Sequence, residues 1–125
     1  MTDGFDVELT DDARREIHGF GGAAAARIGE RIRHAQEVGW QESQQIGLVK
    51  NLGSIEQGIY EIIVKGKGEA YRILCFPVAM RDGRLVVLTS CVAKSKLLHG
   101  GLKRHVRIAA SRRDKWLQAN KEGNL

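Results

Sequence analysis

Apolar positions along this chain change period twice. Phe5, Val7 and Leu9 alternate with Asp6 and Glu8, the period of a half-buried strand. Thr10-Asp11-Asp12 then supplies an N-cap and acidic first-turn residues, and Ala13, Ile17 and Phe20 recur at i, i+4 and i+7 as one face of a helix. Gly19, Gly21 and Gly22 break it. Ala24, Ala25, Ile28, Ile32 and Ala35 line one face of a second helix over 23–38, with Arg27, Glu30, Arg31, Arg33 and His34 on its wet face and Gly39 as its stop. His18 and His34 read as exposed helix positions. Two helices joined this way form a hairpin that must cover an apolar surface. Residues 40–57 read as a linker holding a short strand between Ile46 and Leu52.

From residue 58 the period is two. Three apolar runs, 58–64, 69–78 and 84–93, are separated by Lys65-Gly66-Lys67-Gly68 and Arg81-Asp82-Gly83, which predicts a three-stranded antiparallel meander. Tyr60, Ile62 and Val64 share one face of the first run; Ile59, Glu61 and Ile63 share the other. Both faces are largely apolar, so this strand is central. Tyr71 reads as core. Pro77 cannot donate to a ladder, so the second run ends or bulges there. The third run is apolar on both faces except at Thr89 and Ser90. A last helix over 102–119 places Leu102, Val106, Ala109 and Ala110, with Trp116 or Leu117, on one face, and crowds Lys103, Arg104, Arg107, Arg112, Arg113 and Lys115 on the rest. Residues 120–125 read as a frayed tail. The predicted fold is α+β in a single domain over 1–125. It is a small twisted antiparallel sheet, the meander plus an N-terminal strand, with an N-terminal helical hairpin and a C-terminal helix segregated against one face.

Charge adds a second pattern. The net charge of +5 conceals an asymmetry. Residues 1–64 hold 6 Lys and Arg against 11 Asp and Glu; residues 65–125 hold 14 against 4, a net of +10. A solvated surface is one reading of such a half; a polyanionic partner, nucleic acid or an acidic protein segment, is the sharper one. No apolar run approaches the roughly 20 residues of a membrane span. The acidic N-terminus lacks the apolar core of a signal peptide, so the expected location is the cytoplasm, without membrane contact. Cys75 and Cys91 fall on adjacent strands and read as small buried apolar residues, a disulfide being the alternative.

The segments also carry motifs. Ile59-Tyr60-Glu61-Ile62 is followed by Tyr71-Arg72-Ile73-Leu74-Cys75-Phe76, then by Val86-Val87-Leu88, Lys94-Ser95-Lys96, and Ala109 and Arg112 before Trp116. In order and spacing this half of the chain, from Leu52 onward, resembles the HigB/RelE superfamily of type II toxins, in particular its phage-derived HigB-like branch. The resemblance implies a RelE-like fold and a ribosome-dependent mRNA endonuclease, silenced by an antitoxin that is often of helix-turn-helix type. Its partners would be that antitoxin, the ribosome and mRNA, and it implies no cofactor or metal. Two positions depart from the branch's pattern: Thr89 stands where it often has a His, and Ala93 where it has a Lys. The Thr-Pro before the last helix is replaced by the loop Leu97-Leu98-His99-Gly100-Gly101. A non-catalytic RNA- or protein-binding module of the same fold is the alternative.

Metal-free RNA cleavage uses the substrate's own 2′-hydroxyl as nucleophile, so a site must take its proton, stabilise the pentavalent anion and protonate the leaving 5′-oxygen. Arg72, a charge inside an apolar strand matching the family's strand arginine, is the leading catalytic candidate; a structural ion pair with Glu61 is its alternative. Lys94, Lys96 and His99 complete the catalytic candidates. Lys65, Lys67, Arg84, Lys103, Arg104 and Arg107 are candidates for binding RNA phosphates.

Overall fold

In the computed structural model, which describes residues 3–66, 68–98 and 100–123, the chain forms ten elements. They are β1 (Asp6–Leu9), α1 (Asp11–Gly19), α2 (Gly22–Val38), α3 (Trp40–Gln45), β2 (Val49–Asn51), β3 (Tyr60–Val64), β4 (Tyr71–Met80), β5 (Gly83–Ala93), a 3-10 turn (Lys94–Leu97) and α4 (Gly101–Gly123). The strands make one sheet in the order β1-β5-β4-β3-β2. β3, β4 and β5 pair antiparallel in sequence order, as the glycine-containing turns predict. Pro77 stays within β4, opposite Val86, and does not end the strand.

Three features differ from the sequence expectation. The sheet is mixed, because β1 lies parallel to β5 along Asp6–Leu9 and Leu85–Leu88. The residues expected to be a linker begin instead with α3. Trp40 is buried edge-on between Phe5 at 5.5 Å and Tyr60 at 5.0 Å, and this packing holds a helix too short to announce itself by periodicity. Gly39, at φ 101°, makes the corner before it; a Cβ there would meet Asp3 O at 3.0 Å, and Asp3 O accepts from the Trp40 N–H. Finally, the helices do not share one face. Ala13, Ile17, Ile28, Ile32 and Trp40 pack with Tyr71, Ile73, Val86 and Leu88 on one side of the sheet. Val106 and Ala109 of α4 pack with Ile59, Leu74, Phe76 and Val87 on the other. The reason is the strands' own composition: a meander apolar on both faces has to be covered on both. The helix α4 continues to Gly123, four residues past its expected end, and residues 124–125 lie outside the described residues.

One irregularity organises the edge of β5. The register with β4 shifts between Leu74 and Cys75, leaving Thr89 as an extra residue. Its hydroxyl donates to Leu74 O (3.0 Å). Its carbonyl accepts from the Thr10 hydroxyl (3.2 Å) and from Arg112 Nη1 (2.9 Å). The same Arg112 nitrogen reaches Ser90 Oγ (2.9 Å) and both Glu16 carboxylate oxygens (3.2 Å), while Arg112 Nε faces Asp12 Oδ2 at 3.3 Å. Glu16 in turn accepts the Cys91 N–H at 3.0 Å. The sequence pattern puts Arg112 on the wet face of its helix; the structure makes it a half-buried tie between α1, β5 and α4. Beside it, the half-buried His105 is held below its ordinary pKa, first by burial and then by Arg104.

Both cysteines are buried free thiols on the α1–α2 side of the sheet. Burial, and then Glu61, pushes the Cys75 thiol far up; burial, and then Glu16, pushes Cys91 from near 9.0 up to about 12. Because the folded value is raised, the stability gained by keeping the Cys91 thiol neutral is complete below pH 9 and is lost as pH rises toward 12. Neither thiol is therefore expected to react with an aromatic disulfide reagent at pH 8 until guanidinium is added, and the alkaline fall in melting temperature should be shallower in Cys91→Ala. Rapid labelling of the folded chain at pH 8 contradicts this.

Arg112→Ala strips donors from Thr89 O and Ser90 and leaves Glu16 without its cation. The expected loss is about 2 kcal/mol, with a melting temperature lower by on the order of 5–10 °C. Adding Glu16→Gln should cost less than the sum of the two single losses, which a double-mutant cycle in urea measures.

Candidate nucleic-acid interface

The register gathers several of the candidate residues at one end of the sheet. Val64 pairs with Tyr71 and Tyr71 with Ala93, so Lys65 leaves β3 where Lys94 leaves β5. Hydrogen bonds lash the β3–β4 connection to the 3-10 turn: the Lys94 N–H donates to Ala70 O (2.8 Å), and the Ser95 hydroxyl donates to Glu69 Oε2 (2.9 Å). Gly101 then opens α4 against the same turn, where a Cβ would stand 2.6 Å from Lys96 O. This close approach puts Lys103 and Arg104 in the first turn of α4 at the same end.

Lys65, Lys94, Lys96, Lys103 and Arg104 are all exposed, and none is in an ion pair among the described residues. The first turn of α4 contains no acid. Cations at the positive end of a helix are locally unfavourable. Their accumulation there is the kind of local conflict a surface shows when it is shaped for an anion.

Arg72 enters this end from the α4 face, opposite Ile63 and Val92. Its Nη1 donates to Glu61 Oε1, so the ion pair left open by the sequence is present. Glu61 is fully buried, whereas the Arg72 side chain is 19 % exposed. Glu61 Oε2 and Arg72 Nε are buried without a hydrogen-bond partner among the described residues. Among the described residues the carboxylate depends on Arg72 alone, and removing that arginine would leave a buried charge uncompensated.

The remaining candidates are scattered. Arg107 is exposed one turn along α4, on a shallow cleft of about 720 Å³ shared with Glu56 and Lys115. Arg84 sits at the other end of the sheet, paired with Asp3 Oδ1 at 3.0 Å and lying over the Trp40 ring. Lys67 and His99 lie outside the described residues. Thr89, in the position where the branch often has His, is buried in the bulge and hydrogen-bonded to Leu74 O. His105, directly after Lys103 and Arg104 in a basic helix, is not among the candidates the sequence offers; burial first, and then Arg104, disfavours its protonation. Among the described residues no helix is long and apolar enough to cross a membrane.

Residues 15–114 match the family described as Phage derived protein Gp49-like (DUF891). No curated protein and no solved structure matches the chain. The matched span runs from within α1 to Asp114 of α4, so it takes in Glu16, Arg72, the whole cationic sheet end and Arg112, and reaches well upstream of the segment in which the sequence motifs lie. The chain belongs to this phage-derived Gp49-like family, a toxin-like family of the RelE/HigB type whose members imply an antitoxin partner.

Proposed function

We propose that this chain is the toxin of a type II toxin–antitoxin pair: one domain over residues 1–125 that acts in the cytoplasm as a ribosome-dependent mRNA endonuclease and inhibits translation. The observation that carries the reading is the cluster, at one sheet end, of cations without an ion pair among the described residues, in a chain of a toxin-like family. Lys94, Lys96, Lys65, Lys103 and Arg104 would hold consecutive phosphates, with Arg107 further along α4; Lys67, outside the described residues, is proposed with them from its place in the sequence beside Lys65. Arg84, tied to Asp3 at the far end, would contribute only to a longer RNA path.

In this reading Arg72 stabilises charge on the scissile phosphate with the part of its guanidinium that Glu61 leaves free. The 2′-oxygen attacks the adjacent phosphorus, the bond to the 5′-oxygen breaks, and that oxygen takes up a proton, giving a cyclic phosphate and a 5′-hydroxyl. Lys94, Lys96 and His99 are the groups proposed to assist the proton transfers and neutralise the anion. A helix-turn-helix antitoxin with an acidic segment would silence the chain by covering Arg72, Lys94, Lys96 and the exposed side of α4. The burial of Thr89 and Ala93, where the branch often has His and Lys, supports the second reading, a non-catalytic RNA- or protein-binding module.

Inducible expression with mapping of mRNA 5′ ends separates the two. The unaltered chain is expected to arrest growth and cut translated messages, and co-expression of the adjacent reading frame to restore growth. Because Arg72→Ala alone strands Glu61, the test uses Arg72→Ala with Glu61→Gln against Glu61→Gln alone. The single variant should still cut; the double variant should lose roughly a hundred- to a thousand-fold in rate. Arg72→Lys should retain partial activity, since a point charge cannot reproduce the planar fork. Equal cutting by both variants, each folded by circular dichroism, would remove Arg72 from the site. Growth unaffected by the unaltered chain would leave the binding module.

A further inference from the structure

A second cationic site lies at the same sheet end but on the opposite face from α4. Arg27, Arg31 and His34 recur at i, i+4 and i+7 on α2, and with Lys65 and Val64 they line a cleft of about 290 Å³. An adjoining cleft of about 260 Å³ shares Arg31 and Lys65 and is otherwise lined by Ile46, Gly47, Leu48 and Ile63. Glu30 is the acid lining the first cleft. None of Arg27, Arg31, His34 and Lys65 is in an ion pair among the described residues.

The site is built rather than incidental. The Arg27 guanidinium lies over the Tyr71 ring, 5.7 Å from its centre, and against the backbone of Gly66. A Cβ on Gly66 would stand 2.5 Å from Arg27 Nε and 2.6 Å from Cζ, so only glycine leaves the guanidinium in place. Arg27 Nε is buried without a hydrogen-bond partner among the described residues. Arg27 as a whole is half-buried, so Tyr71 and Gly66 fix its guanidinium while its outer donors stay open to an anion. Like charges one turn apart, as at Arg27 and Arg31, weaken a helix.

We propose that this cleft binds a phosphate of single-stranded RNA. The strand would then cross the sheet end from Lys94 and Lys96 to Arg27 and Arg31, with Lys65 common to both. The choice of RNA over an acidic peptide rests on continuity: the cleft is the end of a cationic track, which suits an anion repeated along a backbone. The inference rests on the reading of the chain as an RNA-acting protein, but it requires neither cleavage nor a ribosome.

The test is fluorescence anisotropy with a labelled 12-nucleotide oligouridylate at several salt concentrations. Arg27→Gln with Arg31→Gln, which leaves Lys65 in place, is compared with Lys94→Gln with Lys96→Gln, and Arg81→Gln at the far β4–β5 turn serves as the charge control. The first pair is expected to weaken binding several-fold and to flatten the logarithmic salt slope by about 0.7 for each phosphate left without its cation. Gly66→Ala, which displaces Arg27 without removing charge, should also weaken binding, while Arg81→Gln leaves the slope unchanged. If the Lys94 and Lys96 pair weakens binding and the Arg27 and Arg31 pair does not, the cleft inference falls alone. If the unaltered chain binds no RNA at any salt, the reading beneath it falls too. Loss of polyglutamate binding without loss of RNA binding in the Arg27 and Arg31 pair would assign the cleft to an acidic peptide and overturn the proposal.

Discussion

The guanidinium of Arg112 closes a gap that the sheet opens in itself. The extra residue Thr89 changes the parity of β5: Val86 and Leu88 before it and Cys91 and Ala93 after it all face the α1–α2 side. Without the bulge, Cys91 and Ala93 would turn to the α4 face and the end of the strand would be aimed elsewhere. The bulge leaves the Thr89 carbonyl and the Cys91 amide outside the ladder on an edge that β1, ending at Leu9, no longer covers. Arg112, Thr10 and Glu16 take up those groups. This network therefore joins the first helix to the last and fixes where β5 delivers Lys94 and Lys96.

The chain's positive charge divides by residue type. The described cations of the second half that are held in ion pairs are all arginines: Arg72, Arg84, Arg112 and Arg113. Planar forks suit fixed, multivalent ties. Among the described residues, the sheet-end cations without an ion pair are mostly lysines on turns and on the first turn of α4, long exposed side chains that would suit a mobile polyanion. The net +10 of residues 65–125 is thus part scaffold and part surface.

How much is legible in the sequence follows from range. The meander, its order and the α1–α2 hairpin are written in local periodicity and turn residues, and the structure has them where expected. The Arg72–Glu61 pair is readable as an alternative because the two residues sit on neighbouring strands. The parallel pairing of β1, the placement of α4 across the sheet from α1 and α2, and α3 are not legible. Each is decided by residues far apart in sequence, such as Trp40 against Phe5 and Arg112 against Glu16. The cleft on α2 is hidden for the same reason. Arg27 and Arg31 look like an ordinary wet helix face until Gly66 and Lys65 are brought against them.

On the proposed reading, one end of the sheet, and not the basic half as a whole, would meet RNA. Backbone amide shifts in nuclear magnetic resonance, followed as a short single-stranded RNA is added, test it residue by residue. The account predicts shifts at Lys65, Gly68–Ala70, Lys94–Lys96 and Lys103–Arg104, with the Arg81–Arg84 turn unmoved. Shifts centred on Arg81–Arg84, or spread evenly over every basic residue, would contradict it.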